Sequence, residues 1–122
     1  MTDSEPLNTP ESALKVDVAV IGGGPAGLMA AEVLSRAGVA VHLFDAMPSV
    51  GRKFLLAGKG GLNLTHAEDF DAFVGRYAER SPAVRQLLEA FGPAALRDWA
   101  AGLGLATFVG TSQRVFPTDM KA

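Results

Sequence analysis

Two kinds of apolar pattern alternate in the first third of the chain. An almost wholly apolar run occupies residues 16–21, and a second occupies residues 39–44. Runs of this length and composition are typical of parallel strands that are buried on both faces. Between them, Leu28, Ala31 and Leu34 recur at helical spacing, and Gly38 follows as a helix stop. Residues 16–45 are therefore predicted to form one strand, helix and strand unit.

The link between the first strand and the helix is rich in glycine. Residues 22–27 read GGGPAG and fit the pattern G-x-G-x-x-G. Gly22 would permit the tight turn, Gly24 would let the backbone approach a pyrophosphate, and Gly27 would let the helix lie close on the strand. Pro25 and Ala26 open the helix, whose N-terminus offers free N–H groups and a partial positive charge to phosphate. The pattern predicts a Rossmann-type βαβ unit that binds a dinucleotide.

An acidic residue stands where such a unit needs one, at the end of the second strand. Asp45 follows Gly27 by 18 residues, close to the roughly 20 expected for the acid that accepts a hydrogen bond from the ribose 2′-OH. Its charge would repel an adenosine that carries a 2′-phosphate. Asp45 is the predicted ribose ligand.

The chain is predicted to be loop-like from Ala46 to Leu64, and residues 51–64 within this stretch read GRKFLLAGKGGLNL. Its glycines would let the backbone come close to a ligand, and Arg52, Lys53 and Lys59 could neutralise phosphate charge. It is not a Walker A loop, because Gly60 follows Lys59 where Ser or Thr is required. A solvated basic loop is the alternative. Its position directly after Asp45 favours a second contact with the same cofactor.

The rest of the chain predicts helices followed by a hairpin. Residues 65–68 fit a capping box, with Thr65 at the N-cap and Glu68 at N3. Further helices are predicted to start at Ser81-Pro82 and Gly92-Pro93, and residues 105–109 and 114–116 are predicted to form a β-hairpin. The predicted fold class is α/β: a Rossmann-type βαβ unit followed by helices and a β-hairpin, with an incomplete sheet.

Length and composition limit the function further. Residues 1–15 are polar, contain two prolines and are predicted to be a disordered tail, which leaves residues 16–122 as the N-terminal part of a dinucleotide-binding domain. A doubly wound sheet needs about five strands, and only two parallel strands can be found. Thr118-Asp119 could cap another helix, yet the sequence stops after barely one turn. We therefore expect the rest of an enzyme to be missing and this chain to be inactive alone.

Charge and residue types exclude several kinds of partner. The formal charge of -2 gives no case for nucleic acid, and the chain has no cysteine. His42 and His66 have no partner at ligand spacing, so no metal site is predicted. The longest uncharged stretch is 14 residues, short of the ~20 that span a bilayer. A cytoplasmic protein with a small-molecule substrate and no membrane contact is the default expectation.

The motifs together resemble a known family. VAVIGGGPAGL at residues 18–28 and the later Asp45 look like the FAD-binding half of two-dinucleotide-binding flavoproteins. GRKFLLAGKGGLNLT at residues 51–65 and RVFP at residues 114–117 resemble, more specifically, the BaiN-like family of NAD(P)/FAD-dependent oxidoreductases, also known as aminoacetone-oxidase-type FAD-binding enzymes. Many members have Arg-Cys before the asparagine where this chain has Gly61-Leu62, and a glycine where it has Gln113. The resemblance covers residues 16–122.

The resemblance implies a set of cofactor contacts. FAD would rest its pyrophosphate on residues 22–27 and its adenosine ribose on Asp45. Arg52 and Lys53 would lie near the cofactor, as would the turn that carries Gly60, Gly61 and Asn63. Family members are much longer and contain a substrate domain, so neither substrate nor catalytic residues can be named.

Three functions are compatible with these motifs. The leading hypothesis is the FAD-binding part of an oxidoreductase that transfers hydride through flavin N5, with NAD(P)H as the electron donor. The second is an NAD-binding Rossmann dehydrogenase domain, which should carry a catalytic Tyr-Lys or His-Asp set. The single tyrosine, Tyr77, has no lysine near it in the sequence. The third is a non-enzymatic nucleotide-binding module associated, for example, with tRNA modification.

The basic residues after Asp45 lead to a first prediction. The double change Arg52→Gln with Lys53→Gln should weaken FAD binding, and more so at low salt than at high salt, because screening already reduces an electrostatic attraction at high salt. FAD titrations of both proteins at two ionic strengths measure this. A loss that does not depend on salt would instead indicate a structural role for the two cations.

Overall fold

The computed structural model describes residues 16–57 and 61–120. The predicted tail at residues 1–15 lies outside the described residues. The chain divides into two compact units, one ending at Arg52 and one beginning at Lys53. Each unit has its own sheet, so each is described by itself.

The first unit is the predicted strand, helix and strand. Its elements are β1 at Val18–Ile21, α1 at Pro25–Arg36 and β2 at Val41–Phe44. The two strands pair in parallel, with Val18 opposite Val41 and Ile21 opposite Phe44. Helix α1 begins with proline in its first turn, has Arg36 in its last turn, and is followed by Gly38 in the left-handed region at φ +81°. The predicted α/β class and the βαβ unit are confirmed.

The burial of β1 differs from the sequence-based expectation. Its side chains alternate between half-buried and exposed, and Ile21 is 80% exposed. Helix α1 packs on the face that carries Val20, because a Cβ at Gly27 of the helix would come 3.3 Å from Val20 Cγ1. The prediction of a strand buried on both faces is therefore wrong for the described residues. An apolar run in the sequence predicts a strand, but it does not determine whether one face or both faces of that strand are covered.

The second unit packs helices around a small antiparallel sheet. The strand order is β3-β5-β4, with β5 pairing antiparallel to both neighbours. A short 3₁₀ helix joins α3 to α4, and α2 starts at the last residue of the first unit. The elements are α2 Arg52–Leu56, β3 Thr65–His66, α3 Phe70–Gly75, the 3₁₀ helix Ala78–Arg80, α4 Ser81–Ala90, α5 Pro93–Gly102, β4 Thr107–Val109 and β5 Arg114–Pro117.

The central strand β5 lies at the core of this unit. Val115 is fully buried, as is Ala100 of α5, while Val74 of α3 is 2% exposed. Leu62, which comes just before β3, is also buried. These side chains bring the helices and the sheet of the second unit together through apolar contact.

Two local predictions in this unit are wrong. The predicted capping box does not form, because Thr65 and His66 pair with β5 as β3. Asp69 is the N-cap instead, and its carboxylate accepts the N–H groups of Asp71 at 2.9 Å and Ala72 at 3.3 Å. The stretch predicted to be a loop contains helix α2, which places Arg52 and Lys53 in a helical turn.

Glu68, the other predicted member of the capping box, pairs with Arg76 and lies beside His66. Its Oε2 accepts Arg76 Nη2 at 2.9 Å, and its Oε1 lies 3.3 Å from His66 Nδ1. The hydrogen bond from Arg76 holds the pKa of the Glu68 carboxyl below its usual range, against the opposing effect of desolvation. Glu68 thus forms an ion pair with Arg76, the C-cap residue of α3, rather than capping the start of the helix.

The predicted hairpin and the two later helices form as expected. Helix α5 begins at Pro93 directly after its N-cap Gly92, and α4 includes Pro82 in its first turn. The hairpin turn between β4 and β5 places Gln113 at φ +62°. This is the left-handed region that favours glycine. No helix among the described residues is long and apolar enough to cross a membrane.

Core packing around β5 generates a second prediction. Val115→Ala should lower the free energy of unfolding by about 1–3 kcal/mol, because it leaves a cavity at a fully buried site. Val109→Ala is the matched control, since Val109 lies opposite Val115 in the neighbouring strand but is 44% exposed. Urea denaturation followed by the fluorescence of Trp99 in α5 measures both changes. Equal effects would contradict the assignment of Val115 to the core.

Candidate nucleotide-binding site

The turn after β1 has a backbone that only glycine adopts readily. Gly22 has φ +104°, outside the range of most L-residues. Its N–H donates to the carbonyl O of Phe44 at 2.7 Å, so the strand pairing continues one residue beyond the two strands. The chain then turns sharply into helix α1. The predicted role of Gly22 in a tight turn is confirmed.

Gly27 lets the helix approach the turn closely. A Cβ at this position would overlap the carbonyl O of Gly22. No larger residue fits unless the helix moves away from β1. The predicted reason for glycine at position 27, close packing between helix and strand, is confirmed.

Gly24, in contrast to Gly27, has space around it in the described part of the chain. It is exposed, and a Cβ built on it would meet no atom of the described residues within 4 Å. Its φ of -79° and ψ of -178° are accessible to any residue. Packing and backbone conformation therefore do not explain a glycine at this position. Open space directly before the helix N-terminus leaves room for a ligand to approach the backbone.

The N-terminus of α1 faces this space without a side-chain cap. Gly24 is the N-cap residue, and no side chain among the described residues caps this end of the helix. The first internal hydrogen bond runs from Leu28 N–H to Gly24 O at 2.9 Å. The N–H groups of Ala26 and Gly27 precede it, and the first turn of a helix attracts anions through such groups.

Gly23 occupies the unspecified position x of the G-x-G pattern, and both its N–H and its carbonyl O form hydrogen bonds. Its N–H donates to Asp45 Oδ2 at 2.6 Å, and its carbonyl O accepts Gly51 N–H at 2.7 Å. A Cβ on Gly23 would come 2.6 Å from Val50 Cγ1 and 3.0 Å from Asp45 Oδ2. Sequence reasoning missed this residue. The signal for it was a third glycine at the position marked x in G-x-G.

Asp45 lies at the end of β2, as predicted, beside the glycine turn. Its Oδ1 accepts Met47 N–H at 2.7 Å, in addition to the contact of Oδ2 with Gly23. The hydrogen bonds from Met47 and Gly23, aided by the charge of Arg52, hold the pKa of the Asp45 carboxyl below its usual value. The group is thus ionised at neutral pH and adds a fixed negative charge next to the open space.

Comparison with known proteins agrees with this geometry. The model of the HI0933-like protein Rossmann domain matches residues 16–122. The chain belongs to this family. The match includes the second unit, so the helices and the small antiparallel sheet belong to the same family as the glycine turn.

Curated relatives of the chain match over shorter segments. The chain is 60% identical over 38 residues to a thiamine thiazole synthase of Desulfosudis oleivorans, covering 31% of this chain and 15% of that protein. It is 49% identical over 51 residues to a putrescine oxidase of Kocuria rosea, covering 42% and 10%. It is 43% identical over 49 residues to a ribosomal RNA dihydrouridine synthase of Haemophilus influenzae, covering 40% and 12%. The aligned part is thus a small fraction of each relative.

The remaining residues predicted from the sequence are distributed over the chain. Arg52 is exposed, and its Nη1 lies 3.4 Å from Ser49 Oγ in the first unit. Lys53, Gly61 and Asn63 belong to the second unit of this HI0933-like domain. Gly60 lies outside the described residues. A cofactor contact by any of these residues stays a prediction.

The difference in free space around Gly24 and Gly27 leads to a third prediction. Gly27→Ala should lower the free energy of unfolding by about 1–3 kcal/mol, because the methyl group has no room beside the carbonyl of Gly22. Gly24→Ala is the control, and it should cost less than Gly27→Ala, because its methyl group has room and only the poorer N-cap preference of alanine opposes it. Thermal unfolding followed by circular dichroism compares the two. A large loss of stability in Gly24→Ala would show that Gly24 is a folding residue.

Proposed function

We propose that this chain is the FAD-binding part of a flavin-dependent oxidoreductase that uses NAD(P)H as its electron donor. The observation that carries the proposal is the open backbone at Gly24, the N-cap of α1, which directly follows Gly23, whose N–H is bonded to the ionised carboxylate of Asp45. A pyrophosphate and a ribose need these two kinds of partner side by side. Membership of a Rossmann-domain family supports the same conclusion.

The pyrophosphate would bind before helix α1. The backbone N–H groups of its first turn donate hydrogen bonds to phosphate oxygens, and the partial positive charge of the helix end adds electrostatic attraction. Because Gly24 has no side chain, a phosphate oxygen could come closer to the backbone than a Cβ would allow. Pro25 and Ala26 hold the first turn in helical conformation, so this part of the site is preorganised.

The adenosine ribose would bind to Asp45. A carboxylate oxygen has two lone pairs, so each Asp45 oxygen can accept one ribose hydroxyl besides its backbone N–H. The same negative charge disfavours a ribose that carries a 2′-phosphate. This combination suits FAD, whose adenosine has free hydroxyl groups.

The redox chemistry belongs to the cofactor. When bound, FAD would supply a flavin N5 that accepts or returns a hydride. Similarity to a putrescine oxidase supports an oxidation or reduction. The substrate is proposed to be a small molecule, and the aligned fraction of the relatives is too small to specify which one.

Titration of the purified protein tests the proposal. FAD should bind and give the visible absorption bands of oxidised flavin, whereas FMN should bind much more weakly because it lacks the adenosine and the pyrophosphate that the site recognises. Addition of NADH or NADPH in the absence of oxygen should bleach these bands in the complete enzyme. Equal affinity for FMN and FAD would contradict a site built on the adenosine half.

Asp45 provides the fourth prediction. Asp45→Ala should weaken FAD binding by roughly 10- to 100-fold, through loss of charge-assisted hydrogen bonds. Asp17→Ala is the matched control, because the Asp17 carboxylate also accepts a backbone N–H, that of Ala40 at 3.0 Å, just before the two strands begin. Isothermal titration calorimetry measures both variants. Unchanged affinity in Asp45→Ala would refute the ribose assignment.

A further inference from the structure

We propose that Asp45 is also a positioning residue, which holds the glycine turn in its phosphate-binding conformation whether or not a ribose is present. The inference rests on the proposed function, since it concerns the same nucleotide site. It extends the role of Asp45 from the ribose to the pyrophosphate.

The contacts of Asp45 carry this inference. Both carboxylate oxygens accept backbone N–H groups, Oδ2 from Gly23 at 2.6 Å and Oδ1 from Met47 at 2.7 Å. Asp45 therefore ties the turn after β1 to the segment after β2. The Gly51 N–H donates a further hydrogen bond between the same two segments, to the carbonyl O of Gly23. Gly23 is buried between these partners.

A turn of three successive glycines needs such an external restraint. Glycine loses more backbone freedom on folding than any other residue, so residues 22–24 are costly to order. None of the three has a side chain that could fix the turn from within. A charged acceptor on an N–H group makes a stronger hydrogen bond than a neutral one. The carboxylate of Asp45 can therefore supply the order that the glycines lack.

The alternative is that Asp45 serves the ribose alone. The two roles predict different behaviour toward a nucleotide without ribose hydroxyl groups. If Asp45 contacts only the ribose, its substitution does not affect binding of such a nucleotide. If Asp45 positions the turn, substitution weakens that binding as well, because the phosphates lose an ordered partner.

The nucleotide arm of the test compares ADP with 2′,3′-dideoxy-ADP. Calorimetry is performed with the natural protein, Asp45→Asn and the control Asp17→Asn, at a temperature where all three are folded. Asp45→Asn should bind 2′,3′-dideoxy-ADP about tenfold or more weakly than the natural protein, whereas Asp17→Asn should bind it equally well. Equal affinity of Asp45→Asn and the natural protein for this nucleotide would overturn the inference.

A spectroscopic arm detects the restraint without any ligand. In the natural protein, the Gly23 amide proton should resonate downfield and exchange slowly with solvent, because it is bonded to a carboxylate. Asp45→Asn should move it upfield and speed its exchange, while Asp17→Asn should not. An unchanged Gly23 amide in Asp45→Asn would overturn the inference even if no nucleotide bound. Failure of the natural protein to bind either nucleotide would, in contrast, overturn the proposed function.

A second variant covers the case in which Asp45→Asn does not fold. Gly23→Ala keeps the carboxylate but displaces the turn, because its Cβ would come 2.6 Å from Val50 Cγ1. It should weaken the binding of both 2′,3′-dideoxy-ADP and ADP, because the displaced turn no longer presents its backbone to the phosphates. If Gly23→Ala bound 2′,3′-dideoxy-ADP as tightly as the natural protein does, the claim that phosphate binding depends on the position of the turn would be wrong.

Discussion

The hydrogen bond between Gly23 N–H and the Asp45 carboxylate, 2.6 Å long, is the interaction on which the candidate site depends. It joins two residues that are 22 positions apart in the sequence and that follow the ends of two parallel strands. The strand pairing brings the two residues near each other, and the hydrogen bond fixes the turn relative to the acid. The N–H groups at the start of α1 and the carboxylate of Asp45 are thereby held at one end of one small sheet.

The glycines around this bond serve different physical purposes. Gly22 adopts a backbone conformation that other residues resist, and Gly27 makes room for a close contact between helix and strand. A side chain at position 23 would collide with Val50 and crowd the carboxylate of Asp45. Gly24 alone has neither constraint, and its surroundings are empty in the described part of the chain. Together with the helix N-terminus beside it, this open position supports the ligand proposed there.

The second unit shows how tertiary contacts override a local pattern. A capping box at Thr65 would stabilise a helix by about 1 kcal/mol. The observed arrangement instead lets Leu64 N–H donate to Val115 O at 2.9 Å and Ala67 N–H donate to Gln113 O at 2.8 Å. It also covers the fully buried Val115. Several backbone hydrogen bonds and a buried side chain outweigh one cap, and Asp69 takes over the capping of α3.

The sequence by itself determined the βαβ unit, the glycine turn, the position of Asp45 and the later helices and hairpin. These features depend on apolar periodicity and on residue types that only certain backbone conformations accept. Tertiary structure alone decided that Gly23 is held by Asp45, that Thr65 joins a strand and that β1 is covered on one face. Each of these depends on partners distant in the sequence, such as Val115 or Gly51, whose proximity follows from chain topology and not from local pattern.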